Sequence, residues 1–181
     1  PYKALRAIAS LYPKPVHIVL GPASQVNSLN ELRNKIIVAV ADNTGSSKII
    51  EDVLRAYRLA NNVPEPTYVP SVADALTALA AGKADAIIAA DVAPQGDIAV
   101  ATAAHGFRLL SLDSDAIALL TSGDTHYLAT SIPGRTYRGQ QNAIATVATA
   151  AILVADRNAP ASEIKGLLQG LFAPVEYLRL G

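Results

Sequence analysis

The chain has 181 residues, of which 51% are apolar and 17% are charged, and its fifteen basic and fifteen acidic side chains cancel. This composition is typical of a globular protein with a sizeable core. The absence of a positive net charge argues against nonspecific nucleic-acid binding, and the absence of cysteine excludes disulfides and thiolate metal sites. No apolar run reaches the roughly 18 to 20 residues that a membrane-spanning helix needs.

The first 34 residues predict a helix, a strand and a short helical turn. The opening segment PYKALRAIASLY has apolar residues at helical spacing, so a helix is expected that ends before Pro13. The apolar run VHIVL at 16–20 predicts a short buried strand. In SLNELRN, Ser28 and Glu31 form a capping-box pattern, which predicts one or two helical turns.

From Ile36 to Leu112, predicted strands alternate with predicted helices. The strands are expected at 36–40, 67–69, 84–90 and 107–112, and the helices at 49–57, 71–82 and 94–105. The strands at 36–40 and 84–90 are apolar at nearly every position, as in a parallel sheet that is covered on both faces. The sequence therefore predicts an α/β fold with a doubly wound, mostly parallel sheet.

The last third of the chain has a less regular pattern. Residues 123–141 are expected to form a loop, and AIATVATAAILVA at 143–155 fits either a strand or a helix. Residues 162–171 predict a helix whose apolar residues face inward, namely Ile164, Leu167, Leu168 and Leu171.

A turn of small polar residues, DNTGSS at 42–47, follows the strand that starts at Ile36. Ligands of open parallel sheets bind beyond the carboxyl ends of the strands, where the first amides of the next helix lack intrahelical partners. A ligand can approach Gly45 closely, and the neighbouring hydroxyls add hydrogen-bonding groups. These features favour a site for a carboxylate or a similar anion. The alternative is that Thr44 or Ser46 only caps the helix.

Four segments of the chain together have the pattern of a known receptor family. They are LYPKPVHIVL, SLNELRNKIIVAVADNTGSS, ALTALAAGKADAIIAADVAPQGDI and IPGRTYRGQQNAIATVATAAILVA. With these segments in this order, from about Tyr2 to about Leu171, the chain resembles the TAXI family, the solute receptors of one branch of the TRAP transporters. The resemblance implies a periplasmic-binding-protein-like (type II) lobe without a cofactor. Such a lobe would capture an amino acid or a dicarboxylate outside the cytoplasm and deliver it to a TRAP-type membrane permease.

The resemblance also implies a division of the chain and a set of ligand contacts. Residues 1–34 are expected to be the remnant of a first lobe with a crossing strand, 35–125 the second ligand-binding lobe, and 126–181 a returning hinge segment with a C-terminal helix. The implied ligand-binding residues are Asn43, Thr44, Gly45, Ser46, Ser47, Asp91, Pro94, Tyr137 and Gln140. The alternative for Asp91 is to cap the following helix, and the alternative for Tyr137 is to pack in the core.

The sequence is compatible with three other functions. The chain could be a ligand-sensing module of a signalling or regulatory protein, an enzyme of the same fold, or a degenerate lobe that contacts another protein. No nucleophile motif such as GxSxG and no acidic catalytic pair is evident. The three histidines lack metal-ligand spacing. The sequence therefore favours a binding protein over an enzyme or a metalloprotein.

Overall fold

The computed structural model describes residues 4–41, 46–57, 66–122 and 126–173. The strands in these ranges are β1 (Leu5–Leu20), β2 (Ile37–Val40), β3 (Thr67–Val69), β4 (Ala86–Ala90), β5 (Arg108–Leu109), β6 (Leu128–Ile132) and β7 (Ile144–Asp156). The α-helices are α1 (Ser46–Ala56), α2 (Val72–Ala80), α3 (Gly96–His105), α4 (Ser114–Thr121) and α5 (Ala161–Leu171), and a short 3-10 helix spans Leu29–Leu32.

The strands form one sheet in the order β3-β2-β4-β1-β7-β6, and β5 also pairs with β1. Strands β3, β2 and β4 are parallel, with Val40 opposite Val69 and Val38 opposite Ile87. Strand β1 runs antiparallel to β4, and β6 runs antiparallel to β7. The predicted α/β fold with parallel β-α-β units is confirmed, and the long strands β1 and β7 add the antiparallel part.

The core lies on both faces of the sheet. Strands β2 and β4 are buried at every position, because helices cover both faces of the sheet. Ile88 belongs to the cluster that contains the buried face of α1, and Ile87 belongs to the cluster that contains α2 and α3. Successive strand residues point to opposite faces, so one apolar strand supplies both clusters.

Several predicted helix boundaries are confirmed by their capping contacts. The Ser71 hydroxyl accepts a hydrogen bond from the Asp74 amide at 3.1 Å and so begins α2. Gly106 ends α3 in the left-handed conformation with φ 67°, which glycine adopts without a Cβ clash. Ser28 caps the 3-10 helix through the amide of Asn30 at 3.3 Å.

The predicted N-terminal helix is wrong, because residues 5–12 of the opening segment belong to the 16-residue strand β1. The strand runs through Pro13 and Pro15, whose restricted φ is compatible with an extended chain. In the sheet, β1 lies beside β7, and the amide of Arg157 donates to the carbonyl of Ala4. Pairing with a distant segment therefore outweighs the helical spacing of a few apolar residues.

The C-terminal part contains more regular structure than predicted. All of the ambiguous segment 143–155 except its first residue lies in strand β7, and strand β6 lies within the segment predicted as a loop. Helix α5 forms where it was expected, but the prediction that its apolar face is turned inward is wrong. None of its residues is buried, and Leu167 and Leu171 are 51% and 49% exposed.

The chain divides into two compact units. Unit 2, residues 13–150, contains the parallel strands and both core clusters. Unit 1, residues 1–12 and 151–181, contains the outer halves of β1 and β7 together with α5. The three-part division made from the sequence stays a prediction. Within the described ranges, no helix is both long and apolar enough to cross a bilayer.

Replacing Ile88 by alanine tests its place in the core. Ile88 has no exposed surface in the middle of β4, so Ile88→Ala is expected to lower the free energy of unfolding by about 2–5 kcal/mol. The control Val100→Ala changes a side chain on α3 that is 67% exposed and is expected to alter that free energy by only a few tenths of a kcal/mol. Urea unfolding compares the two, and equal effects would contradict the described core.

Candidate ligand site

The carboxyl ends of β3, β2 and β4 lie side by side at one edge of the sheet. The three strands are parallel, and the last residues of β2 and β3, Val40 and Val69, stand opposite each other. Helices α1, α2 and α3 each begin after one of these strand ends. Ligands of open α/β sheets bind at this position. We call it the strand-end edge, and it is the candidate site.

A side chain of the protein itself caps one amide in the first turn of α2 and one in the first turn of α3. Ser71 accepts from the Asp74 amide at 3.1 Å, and its hydroxyl donates to the Asp74 carboxylate at 2.6 Å. The side-chain oxygen of Gln95 accepts from the amide of Ile98 at 2.9 Å. Two of the three helix starts are therefore capped internally, and α1 is the start that follows the predicted polar turn.

The described residues include only the last part of the predicted polar turn. Three of its predicted ligand-binding residues lie outside the described residues: Asn43, Thr44 and Gly45. Ser46 is the first residue of α1 and is buried, with its hydroxyl donating to the Val40 carbonyl at 3.4 Å. Ser47 is half-buried in the same helical turn. The structure thus places Ser46 and Ser47 at the strand-end edge.

Asp91 and Pro94 lie in the turn between β4 and α3, at the same edge. The amide of Asp91 donates to the Pro15 carbonyl at 3.2 Å, and its carboxylate accepts from the Val92 amide at 2.8 Å. The alternative in which Asp91 caps α3 is wrong, because Gln95 occupies that position. Pro94 is exposed after a cis peptide bond and precedes α3, whereas the sequence placed it in the first turn.

Tyr137 is buried below this turn. Its exposed fraction is 3%, and its hydroxyl oxygen lies 2.8 Å from the amide of Gln95 and 2.8 Å from Nε2 of His17. Nδ1 of His17 lies 3.0 Å from the carbonyl of Pro15, which can only accept. The proton is therefore assigned to Nδ1, and Nε2 accepts from the tyrosine hydroxyl. This geometry fits the alternative of core packing, with a polar link added.

Gln140 closes the loop at residues 133–142 that carries Tyr137. Its side-chain oxygen accepts from the Tyr137 amide at 3.1 Å. Its amide nitrogen donates to the carbonyls of Ile132 at 3.3 Å, Pro133 at 2.9 Å and Asn142 at 2.9 Å. The side chain of Gln140 thus organises the loop, and through the loop it holds Tyr137.

Burial sets the protonation of the linked pair. Removal from water lowers the pKa of His17 from 6.5 to about 4, and the smaller effects of the Pro15 carbonyl and the Asp91 charge oppose this shift. Burial also raises the pKa of Tyr137. Both side chains are therefore neutral at neutral pH, as the assigned hydrogen bonds require.

A separate groove lies at the other end of α3. Its volume is about 580 Å³, and its lining includes Phe107, Arg108, Arg138, Gln141 and Ile144. The guanidinium of Arg108 donates to the carbonyls of Ser24 and Val26, so it fastens a neighbouring loop. Among the described residues, no group of three or more potential metal ligands occurs.

His17 and Gln95 are the residues at this edge that sequence reasoning missed. The sequence signal for His17 was available, since a histidine inside an otherwise apolar strand must find hydrogen-bonding partners when it is buried. The partners themselves were not predictable, because Tyr137 is 120 residues away.

The fold and this edge define a lobe of the periplasmic-binding-protein-like (type II) class, as predicted. The sequence profile of the NMT1-like family matches residues 1–178, and the chain belongs to that family. No curated protein matches the sequence significantly. Membership of the TAXI family stays a prediction.

Three solved structures illustrate the fold. The arginine-, lysine-, histidine-binding protein ArtJ from Geobacillus stearothermophilus has a TM-score of 0.57 at 13% identity, covering 97% of this chain and 60% of ArtJ. Tv2483 bound to L-arginine scores 0.54 at 17% identity, covering 96% and 54%. The GluR0 ligand binding core with L-glutamate scores 0.53 at 11% identity, covering 98% and 61%. These identities show the fold alone, and the chain spans less than two thirds of each structure.

The lowered pKa of His17 predicts a loss of stability in acid. In the unfolded chain His17 titrates near 6.5, so on acidification the unfolded state takes up the proton first. The contribution of neutral His17 is fully present above pH 6.5 and declines as the pH falls toward about 4. The loss is expected to reach about 3 kcal/mol, measured by urea unfolding between pH 7.5 and pH 4.

His17→Gln is the matched control for this titration, because glutamine offers an acceptor and a donor without a titrating ring. The stability difference between the wild type and the variant should shrink by up to about 3 kcal/mol over the same pH range. A difference that stays constant with pH would contradict the assignment of a buried, neutral imidazole.

Proposed function

We propose that this chain is a ligand-binding lobe, with its crossing strands, of an extracytoplasmic solute-binding protein. Its strand-end edge would capture a small carboxylate, with an amino acid or a dicarboxylate as the expected class. The observation that carries the proposal is the convergence of the ends of β3, β2 and β4 at one edge, in a chain of the NMT1-like family. The amino acids named for ArtJ, Tv2483 and GluR0 support this ligand class.

The start of α1 is the proposed position of the ligand carboxylate. Helix starts carry partial positive charge, and α1 begins at Ser46, next to the end of β2 at the strand-end edge. The predicted turn, with Asn43, Thr44, Gly45, Ser46 and Ser47, leads into α1. Its backbone amides and the hydroxyls of Thr44 and Ser47 suit an anionic group, whereas the Ser46 hydroxyl donates to the Val40 carbonyl.

Asp91 is the proposed partner of an ammonium group on the ligand. Its carboxylate is half-buried at the end of the neighbouring strand β4, and an amino acid carries both a carboxylate and an ammonium group. Pro94 would shape the exposed side of the same turn. Tyr137 and Gln140 are not proposed to contact the ligand directly. Tyr137 is proposed to hold the turn, and Gln140 to hold the 133–142 loop.

The proposed partner is a TRAP-type membrane permease. The four segments that resemble the TAXI family support this choice. The same resemblance supports a periplasmic or extracytoplasmic location. Ligand binding would bias an open-closed equilibrium of a two-lobed receptor, and the closed form would be presented to the permease. No cofactor, metal or catalytic residue is part of the proposal.

A further lobe is proposed to cover α5. This proposal agrees with the predicted division of the chain, in which 1–34 is the remnant of a first lobe, 35–125 is the second lobe, and 126–181 is the returning hinge segment with a C-terminal helix. The apolar residues Leu167, Leu171 and Phe172 are 51%, 49% and 59% exposed. Side chains of this kind on one helix usually have a packing partner. The matched structures are long enough to include such a lobe, because this chain covers only 54% to 61% of their residues.

The second candidate function is a sensing module that binds the same ligand class without transport. The likeness to the effector binding domain of QuiR in complex with shikimate, with a TM-score of 0.51 over 94% of this chain, favours this candidate. The gene neighbourhood and the flanking coding sequence distinguish the two. An adjacent permease gene supports the receptor, and fusion to a signalling or regulatory domain supports the sensor.

A ligand screen tests the proposed function. The intact protein is mixed with the twenty amino acids and a set of dicarboxylates, and its melting temperature is recorded. A ligand that binds only the native state stabilises it by about 2.7 kcal/mol at a hundredfold excess over its Kd, so at least one compound should raise the melting temperature by several degrees. No shift across the set would contradict the proposal.

Ser47→Asp locates the carboxylate position. An aspartate in the first turn of α1 repels a ligand carboxylate, so affinity for the compound identified in the screen should fall at least about tenfold, measured by calorimetry. Ser162→Asp is the control, since Ser162 is likewise the second residue of its helix, α5, and the added charge interacts equally with the helix dipole. Equal affinities in the two variants would contradict a carboxylate at α1.

A further inference from the structure

Both ends of the turn from Asp91 to Gln95 are tied to one backbone oxygen. At the first end, the Asp91 amide donates directly to the Pro15 carbonyl at 3.2 Å. At the other end, the Gln95 amide donates to the hydroxyl of Tyr137. That hydroxyl donates to Nε2 of His17, and Nδ1 of the same ring donates to the Pro15 carbonyl. The turn is therefore enclosed in a ring of hydrogen bonds.

This ring of hydrogen bonds joins segments that are distant in the sequence. His17 comes from β1, Gln95 from the start of α3, and Tyr137 from the 133–142 loop that Gln140 closes. The rings of His17 and Tyr137 meet edge to face, with centroids 5.8 Å apart and planes inclined by 75°. His17 has no exposed surface and Tyr137 is 3% exposed, so both are held by packing as well as by hydrogen bonds.

The ring of hydrogen bonds favours one fixed geometry of the turn, which apolar packing alone would not do. Two apolar side chains could fill the same volume without any need for aligned donors and acceptors. A satisfied buried polar network instead favours one geometry of the groups that it joins. Here those groups are the two ends of the turn that carries Asp91 and Pro94.

We propose that His17 and Tyr137 are positioning residues that fix the Asp91–Gln95 turn at the strand-end edge, so that the Asp91 carboxylate is held ready for a ligand. This inference rests on the proposed function of that edge. Neither residue contacts the ligand. Their effect passes through the backbone at Asp91 and Gln95.

Amide hydrogen exchange in the full chain tests the link without any ligand. Tyr137→Phe keeps the aromatic side chain and removes the hydroxyl that accepts from the Gln95 amide. Exchange of the Gln95 amide should therefore accelerate at least about tenfold. The Ala99 amide, which donates to the Gln95 carbonyl at 2.9 Å, serves as an internal reference and should change by less than about threefold. An unchanged Gln95 amide would overturn the inference.

Rescue at position 17 separates positioning from bulk packing. His17→Leu removes the acceptor for Tyr137, and faster exchange of the Gln95 amide is expected. His17→Gln restores an acceptor and a donor, and exchange should return to within about threefold of the wild-type rate. If the glutamine variant exchanges as fast as the leucine variant, the role of His17 is packing alone, and the inference fails.

A binding arm uses L-glutamate and L-arginine as probes, one acidic and one basic amino acid. Tyr137→Phe and His17→Leu should weaken binding of the probe that the wild type accepts by about tenfold. Equal binding by the wild type and both variants would overturn the inference and leave the proposed function standing. If the wild type binds neither probe, the result counts against an amino-acid ligand, and the exchange experiment alone decides the inference.

Discussion

The parallel pairing of β3, β2 and β4 is the constraint on which the site depends. Because these strands run in the same direction, their carboxyl ends must lie at one edge, and each following helix must begin there. The pairing is maintained by burial, since β2 and β4 have apolar side chains in clusters on both faces. The same apolar runs that stabilise the core therefore place the strand ends next to one another.

The strand β1 adds a second constraint at the same edge. It pairs antiparallel with β4, with Val16 opposite Ala90, and so brings Pro15 and His17 to the point where β4 ends. The Pro15 carbonyl then accepts from both the Asp91 amide and the His17 ring. Strand pairing, which is set by the backbone, thus controls the position of a carboxylate that the proposed function requires.

The β-α units could be predicted from the sequence, because they depend on local signals. Apolar periodicity located α1 and α2, and the hydroxyl of Ser71 marked the start of α2 through a contact three residues away. Gly106 marked the end of α3 for a similar reason, since a left-handed C-cap needs only one residue type at one position.

The rest depended on contacts between distant segments, which a single sequence does not specify. The opening segment has helical spacing, but its neighbour in the sheet is β7, more than a hundred residues away. The link from Tyr137 to His17 spans 120 residues. The apolar spacing of α5 predicts the helix itself. The burial of its apolar side chains depends on the segment that packs against them, which the spacing does not specify.

Mapping a bound ligand by backbone amide chemical shifts is the most direct test of the strand-end edge. The protein would be labelled with ¹⁵N and titrated with the compound that most raises its melting temperature. The largest shifts are expected at the amides of Ser46 and Ser47 and in the turn from Asp91 to Gln95. Shifts concentrated instead on Arg108 and residues 138–142, around the groove at the far end of α3, would contradict it.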